Sequence, residues 1–130
     1  MNNLFEYLDE YKLLTPKELS YVANGCGPKF GTLGDWVPDF NGLYTPACNL
    51  HDWIYWSGGP DSMRDLADLN LKSDMEKINT GLSWWKRWSL AWAPRVYYWV
   101  VSYFGAPVYS SSEKRKTRID LKREMEDAGI

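Results

Sequence analysis

The sequence predicts an all-α domain. Apolar residues recur at three- and four-residue spacing along most of the chain. Helix-starting signals such as Thr15-Pro16-Lys17-Glu18 punctuate it, and no alternating strand pattern occurs. The 130 residues fit one domain able to bury its own core. Hydrophobic residues form 45% and charged residues 25%, which excludes a disordered chain.

The elements follow in order. Leu4, Phe5, Leu8 and Tyr11 mark an amphipathic helix over residues 3–14. The capping box at Thr15, with proline at the first helical position, starts a short helix reaching about Ala23. Residues 24–44 are rich in Gly, Pro, Asp and Asn and read as a long functional loop. Thr45-Pro46 opens the next helix, with Thr45 as its cap, and Gly58-Gly59 closes it. Asp61 or Ser62 caps a helix to about Asn79, with an apolar stripe of Met63, Leu66, Ala67, Leu71, Met75 and Ile78. Residues 83–109 read as two short aromatic helices kinked at Pro94. The uncharged run after Arg95 is too short to span a bilayer. The tail from Ser112 to Ile130 reads as a charged helix with a stripe of Ile119, Leu121 and Met125.

Charge is unevenly placed. Residues 1–80 carry 6 basic and 12 acidic side chains, a balance of −6; residues 81–130 carry 9 and 5, a balance of +4. The basic, aromatic C-terminal part suits an anionic surface. The start, MNNLFEYLDEYK, lacks the basic and apolar regions of a signal peptide. The compartment is therefore left open between release by lysis or another route and association with a membrane.

One helix concentrates chemistry. Cys48, His51, Asp52 and Tyr55, at i, i+3, i+4 and i+7, share a face of the helix that Thr45 starts. His51 is the only histidine. Upstream, Asn24-Gly25-Cys26-Gly27-Pro28 can turn several backbone carbonyls toward one point, and calcium accepts carbonyls and carboxylates. Asp52 supplies a carboxylate there if a Cys26–Cys48 bond ties the loop to the helix.

The pairing of Asn24-Gly25-Cys26-Gly27 with Cys48-Asn49-Leu50-His51-Asp52 resembles the phospholipase A2 signature, in the branch whose loop reads Asn-Gly-Cys-Gly. The resemblance covers roughly residues 24–75. It implies a phospholipase A2-like helical core over residues 24–80 and a calcium-binding loop; residues 81–130 read, from their own composition and not from the resemblance, as an aromatic, basic helical extension. It implies calcium-dependent hydrolysis of the sn-2 ester of glycerophospholipids at a membrane surface. His51 would be the general base for water. Asp52 and the loop carbonyls of Gly25, Gly27 and Lys29 would hold Ca2+, and the Gly27 N–H would face the oxyanion. The family orients its histidine with a second aspartate. Asp68 fits this role, bonded to His51 and Tyr55, with Asp65 as runner-up. The chain departs from the family in allowing one disulfide, Cys26–Cys48, where secreted relatives have many. Lys29 also replaces a common loop glycine, and Ala47 a common cysteine.

Trp84, Trp85, Trp88, Trp92 and Trp99, with Lys86, Arg87 and Arg95, suit a membrane interface. About half of these rings are expected in the core. Three other readings remain. One is a lipid- or protein-binding module with an inactive site. Another is a zinc site of Cys26, Cys48, His51 and Asp52. The third, nucleic-acid binding around Lys114-Arg115-Lys116 and Arg118, is not expected, because Glu113, Asp120 and Glu124 interrupt the basic run.

Overall fold

The computed structural model describes residues 4–23 and 42–130. These residues form seven α-helices: α1 (Leu4–Tyr11), α2 (Pro16–Val22), α3 (Thr45–Ser57), α4 (Asp61–Thr80), α5 (Trp84–Ser89), α6 (Ala93–Phe104) and α7 (Arg118–Asp127). One 3₁₀ turn, Ala106–Val108, follows α6. Among the described residues there is no strand, only an isolated bridge between Gly59 and Ser111. No described helix is long and apolar enough to cross a membrane.

The helix starts follow the sequence with some corrections. Thr15 caps α2 reciprocally with Glu18, as its spacing requires. Thr45 is not the cap of α3: Tyr44 takes that place, and Thr45 lies inside the helix. Neither Asp61 nor Ser62 caps α4, whose cap position is Pro60. The tail helix begins at Arg118, behind a capping box of Thr117 and Asp120, and not at Ser112. Pro94 does not kink a continuous helix. It sits in the first turn of α6, where its missing N–H leaves no bond unmade.

Three residues, Gly58 to Pro60, turn the chain from α3 back into α4. So short a link makes the two helices neighbours, and α4 packs mainly on α3 and α6. Two apolar clusters result. Trp53, Ile54, Tyr55, Met63 and Ala67 join Tyr7 from α1 and Leu121 and Met125 from α7. Ala47, Cys48, Leu71 and Met75 join Ala93, Tyr97 and Val101 from α6. Both α3 and α4 contribute to each cluster, so the seam between the clusters runs along these two helices. Leu66 and Ile119, expected in the core stripes, are exposed, because each falls off the arc its helix buries.

The segment after α6 straps the N-terminal helices down. Ser110 N–H donates to Tyr55 O, Ser112 N–H to Gly59 O, and Ser57 Oγ to Lys116 O. Arg115 pairs with Glu10 at 2.6 Å and lies over the Tyr7 ring. Arg118 pairs with the buried Glu18 at 3.0 Å. Burial would raise the Glu18 carboxyl, but the Thr15 N–H and the Arg118 guanidinium outweigh it and hold it below its ordinary value. A carboxyl lowered by folding stabilises fully above its unfolded pKa, and this contribution is lost as pH falls through the folded value. Arg118→Ala should therefore destabilise by about 2 kcal/mol near neutrality. In urea titrations the gap from wild type should close as the pH drops below the ordinary carboxylate range.

Candidate functional site

Periodicity on α3 and α4 assembles the site. His51 and Tyr55 are one turn apart, and their rings meet at 4.2 Å between centroids. Asp68 faces them from α4. His51 Nε2 lies 2.8 Å from Asp68 Oδ1, and the Tyr55 hydroxyl donates to the same oxygen at 2.6 Å. All three residues are buried, with Asp68 only 1% exposed. Since a carboxylate only accepts, Nε2 carries the proton and Nδ1 holds the free lone pair. Burial raises the Tyr55 phenol, and the Asp68 carboxylate beside it raises it further. Tyr55 therefore stays a donor throughout the working pH range.

Three further residues complete this arrangement and were not singled out by the sequence. Ser102 on α6 donates to Asp68 Oδ2 at 3.4 Å. Arg64, one turn before Asp68 on α4, donates to Ser102 O at 3.5 Å, and its positive charge acts on the Tyr55 phenol. Gly105 lets Tyr55 approach: a Cβ there would lie 2.5 Å from the Tyr55 hydroxyl and 2.3 Å from Val101 O. Arg64 was open to detection, since it lies four residues before Asp68. Ser102 and Gly105 depend on how α6 docks and leave no local trace. Gly105→Ala should push Tyr55 off Asp68 and lower any His51-dependent rate about tenfold. Tyr55→Phe, which keeps the ring, should cost less. A Gly105→Ala rate equal to wild type would show that Tyr55 is not held by this contact.

Asp52, next to His51, is also buried, at 8% exposed. Burial raises the Tyr11 phenol, and the negative charge of Asp52 raises it further, which places Asp52 within electrostatic reach of α1. Asp52 is a hard oxygen donor of the kind calcium takes. Among the described residues, no group of three or more His, Cys, Asp or Glu side chains gathers around a point. Gly25, Gly27 and Lys29, expected to offer carbonyls, lie outside the described residues, as does Cys26. Cys48 is buried and is not a free cysteine. A cysteine that is not free offers no thiolate, so Cys48 does not suit the four-ligand zinc reading.

The expected aromatic residues stand apart from this site. Trp84, Trp85 and Trp88, with Lys86 and Arg87, lie on α5, none of whose residues is buried. Trp92 and Trp99 are exposed as well, so the expectation that about half of the five rings enter the core is corrected. Tyr44, Ala93, Tyr97 and Val101 fill that part of the core instead.

Fold and site together define an all-α domain with a buried histidine–aspartate–tyrosine constellation between two antiparallel core helices. No family model, curated protein or solved structure matches the chain.

Proposed function

We propose that the protein is a calcium-dependent phospholipase A2-like hydrolase, cleaving the sn-2 ester of glycerophospholipids to fatty acid and lysophospholipid. The observation that carries this reading is the Asp68 carboxylate bonded at once to His51 Nε2 and to the Tyr55 hydroxyl. That arrangement leaves Nδ1 of His51 as a base directed by its partner. It adds to the resemblance of the loop and helix motifs.

His51 Nδ1 takes a proton from a water molecule while the water oxygen bonds to the ester carbonyl carbon. Asp68 stabilises the imidazolium that results, as a buried carboxylate does for a histidine base. Tyr55 and Ser102 hold Asp68 in place by donating to its two oxygens. The carbon–oxygen bond to glycerol then breaks, and the imidazolium returns the proton to the leaving alkoxide. Asp52 and the carbonyls of Gly25, Gly27 and Lys29 would hold Ca2+, with the loop tied down by a Cys26–Cys48 bond. When bound, the ion supplies positive charge to the ester carbonyl and the lipid phosphate. The Gly27 N–H would donate to the oxyanion.

The test is fatty acid release from mixed phospholipid vesicles, with calcium or with a chelator, by wild type and His51→Ala. Calcium-dependent release that disappears in His51→Ala is the expected result. Folded protein that releases nothing from any lipid in calcium would overturn it and leave a lipid- or protein-binding module on the same scaffold. Asp52→Asn should abolish the calcium dependence while leaving the His51–Asp68 pair intact, so its residual rate should be the same with calcium or chelator.

A further inference from the structure

We propose that α5 and the outer face of α6 form a docking surface for an anionic phospholipid interface, and that it works without calcium and without His51. It deepens the lipid reading above by naming the lipid charge, but its evidence and its test are separate from the chemistry.

Two helices carry large apolar rings where the core has no use for them. On α5, Trp84 and Trp88 are 75% and 82% exposed. With Arg87 and Ala91 they line an open groove of about 550 Å³. Their spacing, i, i+3, i+4 and i+7, keeps the groove on one side of α5 and its exit. On α6, Ala93, Tyr97 and Val101 face the core, and Val96, Trp99 and Tyr103 form a second stripe facing outward. Trp99 stacks on Tyr103 at 5.5 Å, and Phe104 meets both edge-on. A helix that is apolar on both sides normally has something on both sides. Exposed apolar surface of this kind marks an interaction site.

Charge selects the occupant. From Lys77 to Ser112 the chain has four cations, Lys77, Lys86, Arg87 and Arg95, and no acidic residue. Lys86 Nζ lies over the Trp85 ring, 5.4 Å from its centroid, which sets a cation beside an exposed indole. A second copy of this surface would be repelled by the like charge. Indoles mixed with lysine and arginine are the composition that settles at the boundary between lipid headgroups and acyl chains. The short helices match a segment lying on that boundary, since no described helix can cross it. Anionic headgroups add attraction for each cation.

The test is co-sedimentation of the full chain with large vesicles, in chelator throughout. One set is phosphatidylcholine alone; the other contains about one-third phosphatidylglycerol. Binding to the anionic set should be at least about tenfold tighter and should weaken as salt rises. Trp84→Ala with Trp88→Ala should lower that binding about tenfold. Lys86→Glu with Arg87→Glu should lower it by about fivefold per cation. His51→Ala should bind as wild type does. Since α5 buries nothing, the variants should keep the wild-type melting temperature. Should the tryptophan pair fail to fold, the charge-reversed pair probes the same surface. Equal binding to both vesicle types, no binding, a need for calcium, or unchanged binding by the folded variants would each overturn the proposal. Failure of fatty acid release alone would leave it standing.

Discussion

Asp68→Asn is expected to reduce fatty acid release by about two orders of magnitude while the protein stays folded. The reason lies in the charge beside His51. Asp68 Oδ1 accepts from both Nε2 and the Tyr55 hydroxyl. An asparagine that sets its oxygen in the Oδ1 place keeps both bonds, and its amide group takes the Oδ2 place beside the Ser102 hydroxyl, which can accept. The proton therefore stays on Nε2, and Nδ1 keeps its lone pair. What asparagine removes is the negative charge that steadies the imidazolium, and that loss falls on the step in which His51 takes the proton. The measurement is the turnover number on phospholipid vesicles, beside the urea midpoint. Loss of rate with a midpoint close to wild type supports the assignment. An Asp68→Asn rate within about tenfold of wild type would remove Asp68 from the mechanism, because a positioning carboxylate of this kind carries far more. Tyr55→Phe provides the graded comparison. It leaves Asp68 on His51 and should lose only the part that holding the carboxylate contributes, about tenfold or less.

Much of this constellation was legible because it depends on helical period. Cys48, His51, Asp52 and Tyr55 are all buried, but so are Leu50, Trp53 and Ile54 around the rest of α3, and it is the contact of the His51 and Tyr55 rings that shows a shared face. The resemblance asks for a second aspartate, and Asp68, followed at i+3 and i+7 by Leu71 and Met75, borders the apolar stripe, where a carboxylate needs donors. His51 and Tyr55, one turn apart, were the natural ones. The parts that escaped depend on helix docking. Ser102 reaches Asp68 across a sequence separation of 34, and nothing near Ser102 in the chain announces it. The tryptophans were legible in part: all five were read as suited to an interface, but about half were expected in the core, and all five are exposed. Hydrophobicity alone assigns an indole to the core, but α6 already meets the core with Ala93, Tyr97 and Val101. The start of α7 was within reach, since Thr117-Arg118-Ile119-Asp120 carries the spacing of a capping box. The loop that would bind calcium was read from motif alone and lies outside the described residues.

Gly58→Ala should be the most damaging small substitution in the turn that the strap clasps, lowering stability by about 3–5 kcal/mol. Gly58 has φ +72°, a backbone conformation that L side chains rarely adopt. A Cβ there would also lie 1.8 Å from Ser110 O, a backbone atom with no side-chain freedom to yield. The two penalties arise from different atoms, so relaxing one does not relieve the other. Ser110 cannot move alone: its N–H donates to Tyr55 O and its carbonyl accepts from Gly59 N–H. The Tyr7 hydroxyl also donates to Gly58 O, joining α1 to the same turn. Displacing Ser110 therefore pulls on the backbone of Tyr55, whose hydroxyl holds Asp68. Gly58→Ala should lose activity as well as stability, although it lies outside the site. The two losses separate in one experiment: urea denaturation gives the stability, and fatty acid release well below the unfolding midpoint gives the rate of the folded fraction. A variant with a wild-type midpoint would mean that the Ser110 strap yields freely. A destabilised variant whose folded fraction keeps full activity would mean that the strap holds the fold but not Tyr55. Loss of both ties the C-terminal extension to the site through the Tyr55 backbone.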